Sequence, residues 1–113
     1  MTQIEVQLDD FAPLSVNHAW KGRRFKTGRY NVWREIIELT LPKKKMITGN
    51  VSITVHFCLI HCLTTDLDNL LKTLFDSLVN KGYIEDDRNV IEIIARKEKA
   101  KKNSIYFAIT KST

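Results

Sequence analysis

An α+β domain is the fold class that the sequence predicts: a small mixed β-sheet of about four strands with two main helices packed on it. Residues 51–59 alternate apolar and polar side chains, as a half-buried strand does. Residues 67–80 then repeat leucine and phenylalanine at helical spacing, which predicts an amphipathic helix. Residues 90–96 are rich in β-branched residues, and in 105–109 Ile105, Phe107 and Ile109 alternate with Tyr106 and Ala108, so two further strands are predicted. With 113 residues, we expect a single domain spanning 1–113.

The N-terminal part of the chain supplies the remaining strand and helix. Ile4, Val6 and Leu8 alternate with polar residues and predict a short strand. Thr27 is a suitable cap for a helix that would run to about Leu39. The residues predicted to face inward from this helix are Tyr30, Trp33, Ile36 and Ile37.

Lysines are concentrated in two connecting segments. Residues 97–103 separate the two C-terminal strands and are expected to form a hairpin connection. Its lysines would either face DNA or keep a sheet edge soluble. Residues 42–45, a proline followed by three lysines, end the first helix and are predicted to be a solvated charge run that can touch a DNA backbone.

The helix at 67–80 has recognisable residues at both ends. Asp66 and Asp68 are capping and first-turn residues, and Gly82 can adopt the left-handed conformation that ends a helix. Because Asp66 sits at the entry, where the chain is still extended, it and Asp68 can point at one spot. The electrostatic potential at that spot would be strongly negative.

An acidic triplet at 85–87 could add a third carboxylate, provided that the chain after Gly82 folds back toward the start of the helix. Such a set matches the hard oxygen ligands that Mg²⁺ prefers. Lys72 lies four residues after Asp68 and therefore on the same helix face. Each residue alone could be a cap, a first-turn charge, an ion-pair partner or part of a turn. Their combination favours a metal-dependent site.

The charge distribution points to nucleic acid. The chain carries a net charge of +5, yet residues 66–87 hold six acids and two lysines. Basic surface outside this island would attract phosphates and release counterions. Residues 20–29 place five cations around two aromatic rings, which suits a phosphate-binding loop whose rings stack on bases; a charged hairpin with its rings in the core is the alternative. The residues predicted to bind DNA are Lys21, Arg23, Arg24, Lys26 and Arg29.

Histidine and cysteine cluster near the end of the strand at 51–59. His56, Cys58, His61 and Cys62 are metal-ligand types, but seven consecutive residues cannot easily surround one ion, so we do not expect zinc here. The two cysteines would be too far apart to bridge if both lay on one strand, and reduced thiols fit the cytoplasm. No long apolar run or leader pattern is present, so we expect a cytoplasmic protein without membrane contact.

The segment at 66–87 resembles a known family. Asp66-x-Asp68-Asn69-x-x-Lys72, followed by Phe75-Asp76 and Gly82-x-x-x-Asp86-Asp87, is similar to the core motif of the RusA-type Holliday junction resolvases, endodeoxyribonucleases common in bacteria and their phages. The resemblance implies that Asp66, Asp68 and Asp87 bind Mg²⁺ and that Lys72 assists phosphodiester hydrolysis. It leaves the role of Asp86 undefined.

A looser resemblance covers Pro13-Leu14-Ser15-Val16-Asn17, which is similar to a loop that lies near the active site in the family. The role of Asn17 stays open, because it could equally satisfy backbone groups. One departure is Leu63-Thr64-Thr65, which stands where the best-known family pattern has arginines. Junction binding would then depend on the cations of residues 21–29 and on the lysines of residues 97–103.

Together these observations predict a magnesium-dependent, structure-selective endonuclease that resolves four-way DNA junctions by paired nicks in recombination and repair. Two symmetric cuts favour a two-fold homodimer, and the family is similarly dimeric. Two alternatives are a non-catalytic DNA-binding module of the same fold and a hydrolase of small phosphate compounds. The second has no need of the basic segments.

Overall fold

The computed structural model of the chain describes residues 3–15, 20–21, 25–26 and 28–112, with the backbone alone for 20–21, 25–26 and Thr64. In chain order the elements are β1 (Ile4–Asp9), β2 (Trp20–Lys21), β3 (Phe25–Lys26), α1 (Gly28–Thr40), β4 (Val51–Leu59), a 3-10 turn (Cys62–Thr64), α2 (Leu67–Lys81), a second 3-10 turn (Asp87–Asn89), β5 (Val90–Lys99) and β6 (Ser104–Lys111).

Four strands form one mixed sheet in the order β1, β6, β4, β5. Strand β6 runs antiparallel to both β1 and β4, and β5 runs parallel to β4. The short strands β2 and β3 pair separately as an antiparallel hairpin. The predicted α+β class, with a mixed sheet of about four strands and two main helices, is confirmed.

One face of the sheet carries the hydrophobic core. Strand β4 alternates buried and less buried positions along its length, and its buried residues pack against apolar residues of α1 and α2. The opposite face carries the other side chains of the four strands, including His56, Cys58 and Glu98, and neither helix covers it. Burial of apolar area on the helical face is the main stabilising contribution.

The helix α1 matches its predicted extent but not its whole predicted face. Tyr30 and Ile37 are buried, and Trp33 is half-buried. Ile36 is 49% exposed, so its predicted inward position is wrong. Because α1 packs along a narrow stripe, the residue next to Ile37 is turned toward solvent.

The connection at residues 97–103 is not a hairpin. Strands β5 and β6 lie on opposite sides of β4, so the chain crosses over β4 between them. The alternation pattern predicts each strand but contains no information on which strands become neighbours. Strand β5 thereby becomes an edge of the sheet.

Because β4 and β5 are parallel, the chain must return the full length of the sheet between them, and α2 makes that return. Gly82 ends α2 in the left-handed conformation (φ 82°), and its N–H reaches the carbonyls of Leu78 and Val79. Beyond it, Tyr83 and Ile84 are buried, and Ile47 pairs with Ile84. The acidic triplet follows directly.

Candidate active site along the crossover helix

Among the described residues, the carboxylate of Asp66 at the start of α2 has no capping hydrogen bond and no ion pair. Its backbone is extended (φ −79°, ψ 130°) and occupies the N-cap position, yet its side chain makes no capping hydrogen bond. An N-cap aspartate usually accepts from the backbone N–H groups of the first turn. Asp66 instead lines a surface cleft with Ser15, Arg29 and Asn69. Its carboxylate is therefore available for another ligand.

Residues 12–15 of the loop after β1 also line this cleft. The buried hydroxyl of Thr73 donates to the carbonyl of Leu14, and Trp33 Nε1 donates to the carbonyl of Ala12 at 2.8 Å. These two bonds hold the loop against α2 and α1 and so bring Ser15 to the same cleft as Asp66. This is the loop expected near the active site, although Asn17 lies outside the described residues.

Lys97 holds the backbone that leads into Asp66. Its Nζ donates to the carbonyls of Cys62 at 2.7 Å and Thr65 at 2.5 Å. Lys99 Nζ donates to the carbonyl of Ile60 at 3.1 Å, so two cations of β5 satisfy carbonyls in the turn between β4 and α2. Carbonyls outside regular structure need such partners. These two lysines therefore have a structural role, because they donate hydrogen bonds to backbone carbonyls of this turn.

A second cleft opens beside the middle of α2. It is lined by Lys72 and Asp76 of the helix and by Asp87, with Phe75, Val90 and Ile93 as apolar walls. Asp68, Lys72 and Asp76 follow one another at intervals of four residues and share one face of α2. That face thus carries two acids and a lysine, of which Lys72 and Asp76 line the cleft with Asp87.

Asp86 and Asp87 interact directly. Asp86 Oδ1 accepts from the N–H of Arg88 at 3.1 Å and caps the second 3-10 turn. This bond lowers the pKa of Asp86, with a further contribution from its hydrogen bond to Asp87. The pKa of Asp87 is raised, because it shares a hydrogen bond with Asp86, is partly desolvated, and faces the negative charges of Asp86 and Asp76. A cation at Asp87 would relieve this repulsion.

The structure does not bring the three predicted metal ligands together in one chain. Asp66 and Asp87 line different clefts, and Asp68 is exposed on the α2 face that leads from one to the other. The chain after Gly82 comes back only as far as the middle of α2, where Asp87 lines the second cleft, because β5 begins next to the start of β4 rather than its end. Within the described residues, no set of three aspartates has carboxylate oxygens within 4.8 Å of one another.

The structure describes only some of the predicted DNA-binding residues. Arg29 is exposed in the first turn of α1 and lines the cleft of Asp66. Lys21 and Lys26 lie on the β2–β3 hairpin, where the structure describes the backbone alone. Arg23 and Arg24 lie outside the described residues.

Sequence reasoning missed two residues. Asp76 stands in the motif without an assigned role, although its spacing of four from Lys72 is a usable signal. Lys97 could not have been found, because only the crossing of β5 past the β4–α2 turn brings it to those carbonyls.

The four histidine and cysteine residues near the end of β4 do not form one cluster. Cys62 is buried in the core, and His61 lines the cleft of Asp66.

Comparison with known families assigns the chain to one of them. The family model of the endodeoxyribonuclease RusA matches residues 13–110, most of the chain. The protein belongs to the RusA endodeoxyribonuclease family. Membership implies nuclease activity on DNA, of the kind that resolves Holliday junctions. No individual curated protein matches the chain. In the described part of the chain, no helix is both long and apolar enough to cross a membrane.

The Asp86–Asp87 pair gives a testable titration. We expect Asp87 to take up its proton at a higher pH than an ordinary aspartate, as followed by carboxyl-carbon NMR. Asp86→Asn keeps an oxygen for the N–H of Arg88 but removes the adjacent charge, so the pKa of Asp87 should fall toward its usual value. Glu85→Gln is the control and should leave it unchanged. An ordinary pKa for Asp87 in the wild-type protein would refute the pairing.

Proposed function

We propose that the protein is a magnesium-dependent, structure-selective endodeoxyribonuclease that resolves four-way DNA junctions by paired nicks in recombination and repair. The observation that carries this proposal is the Asp66 carboxylate, which is unused at its N-cap position and lines a cleft with Arg29. The family match supports the reaction class. The free thiols of Cys58 and Cys62 are consistent with the reducing cytoplasm, where we place the protein.

The acidic side chains suit Mg²⁺ by their chemistry. Asp66, Asp68 and Asp87 are all exposed and offer hard carboxylate oxygens, and no described cation forms an ion pair with any of them. The carboxylates of Asp86 and Asp76, which raise the pKa of Asp87, add negative charge beside it that a cation would neutralise. These three residues would hold the metal. Bound there, Mg²⁺ would activate a water and neutralise the scissile phosphate.

The remaining residues have roles that follow from their positions. Arg29 lies beside Asp66 and can bind a phosphate of the DNA strand, which sets the strand's position in the cleft. The Lys72 ammonium lines the same cleft as Asp87 and can stabilise negative charge that develops on the phosphate oxygens. Lys97 acts only indirectly, by fixing the carbonyls that precede Asp66.

Separation of the acids within one chain supports a homodimer. The edge strand β5 exposes Ile91, Ile93 and Ile94, at 54%, 45% and 59%. An exposed apolar edge strand is a ready site for pairing with another strand. Two copies of β5 paired antiparallel about a two-fold axis would bury these isoleucines.

This pairing would also assemble the acids. Antiparallel pairing sets the start of β5 in one chain beside the end of β5 in the other. Asp87 lies just before the start of β5, whereas Lys97, near its end, contacts the turn that leads into Asp66. Asp87 would therefore lie near Asp66 of the partner subunit. We propose that each of two active sites takes Asp66 and Asp68 from one chain and Asp87 from the other.

The catalytic proposal is tested with labelled four-way junctions in Mg²⁺, beside linear duplex and flap DNA. We expect paired nicks in the junction by the wild-type protein. Asp68→Asn should reduce cleavage by at least about a hundredfold, because it removes a metal ligand. Asp10→Asn, the same change at an exposed residue outside the site, is the control. Junction binding without nicks in Mg²⁺ or Mn²⁺ would contradict the proposal and favour a non-catalytic DNA-binding module.

The dimer is tested by analytical ultracentrifugation. Ile94→Lys places a charge in the proposed β5 interface and should weaken the dimer on the order of tenfold or more, since a buried unpaired charge is costly. Ile36→Lys makes the same change at a comparably exposed position on α1 and should leave the dimer intact. A monomeric wild-type protein, or a dimer indifferent to Ile94→Lys, would contradict the proposed interface.

A further inference from the structure

Three ligand side chains converge on the open face of the sheet, away from both clefts. His56 and Cys58 lie two residues apart on β4 and therefore point to the same face. Glu98 lies on the neighbouring strand, directly opposite Cys58 in the register. The imidazole nitrogen, thiol sulfur and carboxylate oxygen of these residues all lie within 4.8 Å of one another. In the described part of the chain, this is the one group of three such residues.

The distances suit a tetrahedral ion. His56 Nε2 lies 2.8 Å from Glu98 Oε1, and Cys58 Sγ lies 3.7 Å from the same oxygen. For a zinc ion with bonds of about 2.0 Å to nitrogen and oxygen and about 2.3 Å to sulfur, tetrahedral angles separate the ligand atoms by roughly 3.3 to 3.5 Å. The observed values lie on either side of this range, so small side-chain rotations would suffice.

The histidine nitrogen adds an independent observation. The Nε2 atom of His56 is sealed from solvent and has no hydrogen-bond partner of acceptable geometry within the described residues, despite its closeness to Glu98. A simple ion pair would align the N–H with the carboxylate. Two close atoms that are not aligned with each other can instead both be directed at a third position. A cation between them would satisfy both.

We propose that His56, Cys58 and Glu98 form a second cation site, selective for Zn²⁺, on the open face of the sheet. Sulfur and imidazole ligands favour zinc over magnesium, so this site is chemically distinct from the carboxylates of the nuclease centre. Three protein ligands leave the fourth position to water from the open face. Unlike a zinc finger, the site needs only two neighbouring strands.

The site would fasten the edge strand β5 to β4. Glu98 stands between Lys97 and Lys99, the two residues that hold the turn before Asp66. A bond from β4 through the ion to Glu98 would therefore stabilise the end of β5 from which both lysines reach. We expect zinc binding to raise the Tm, since a ligand that binds only the folded state stabilises it.

Cobalt substitution provides the direct test, independent of nuclease activity. Wild-type protein titrated with Co²⁺ should develop the intense visible bands of tetrahedral cobalt and a thiolate charge-transfer band, and Zn²⁺ should displace both. Cys58→Ser should abolish the charge-transfer band. Loss of a direct ligand should also lower zinc affinity by more than the roughly 10–100-fold typical of changes to residues that only hydrogen-bond a ligand, as measured by competition with a chromophoric chelator.

Two further variants keep the test decisive. Glu98→Gln changes an exposed side chain at the sheet edge and should weaken zinc binding with little effect on folding, checked by circular dichroism. Glu92→Gln removes the same charge from the same face of β5 but lies outside the cluster, and it should bind zinc as the wild type does. Zinc affinity unchanged in Cys58→Ser and Glu98→Gln, or a wild-type cobalt spectrum without the thiolate band, would overturn the proposal.

Discussion

The parallel pairing of β4 with β5 is the constraint on which the site depends. Parallel neighbours require the chain to travel back along the sheet, and α2 performs that return. As a result, the entry to α2 at Asp66 and the segment before β5 at Asp87 belong to different ends of the sheet. Within one chain the family's acidic motif, compact in sequence, is therefore divided between the cleft at the start of α2 and the cleft beside its middle.

The same pairing makes β5 an edge strand whose side chains make several different contacts. Its apolar side chains are exposed, Lys97 and Lys99 reach from its far end to the turn before Asp66, and Glu98 faces His56 on the other side of the sheet. Changes at this strand would be felt at the start of α2, because the carbonyls held by Lys97 directly precede Asp66. The edge of the sheet is thus connected through Lys97 to the candidate site at Asp66.

The sequence was most informative where local periodicity decides structure. The alternation in β4 and the leucine spacing in α2 predicted both elements, and Gly82 predicted the end of the helix. Prediction from the sequence failed where the structure depends on contacts between distant segments. The crossing of the chain from β5 to β6 and the exposure of Ile36 are set by tertiary packing, which local patterns do not encode.

The candidate site shows the same division. The motif selected Asp66, Asp68, Lys72 and Asp87, and the structure places Lys72 and Asp87 along one cleft. The motif could not reveal that Asp66 lies in another cleft, since the distance between Asp66 and Asp87 in space depends on strand order. Glu98 was equally hidden, because it joins His56 and Cys58 only through the register of β4 with β5.

In the proposed dimer, two chains share each nuclease site, and mixing inactive variants tests this sharing most directly. Asp66→Asn and Asp87→Asn, inactive alone, should recover single nicks in four-way junctions when subunits exchange, because one site of each mixed dimer then carries no substitution. Asp66→Asn mixed with Asp68→Asn should recover nothing, since both changes affect the same half of the site. Absence of recovery in the first mixture, with exchange verified, would contradict a shared site.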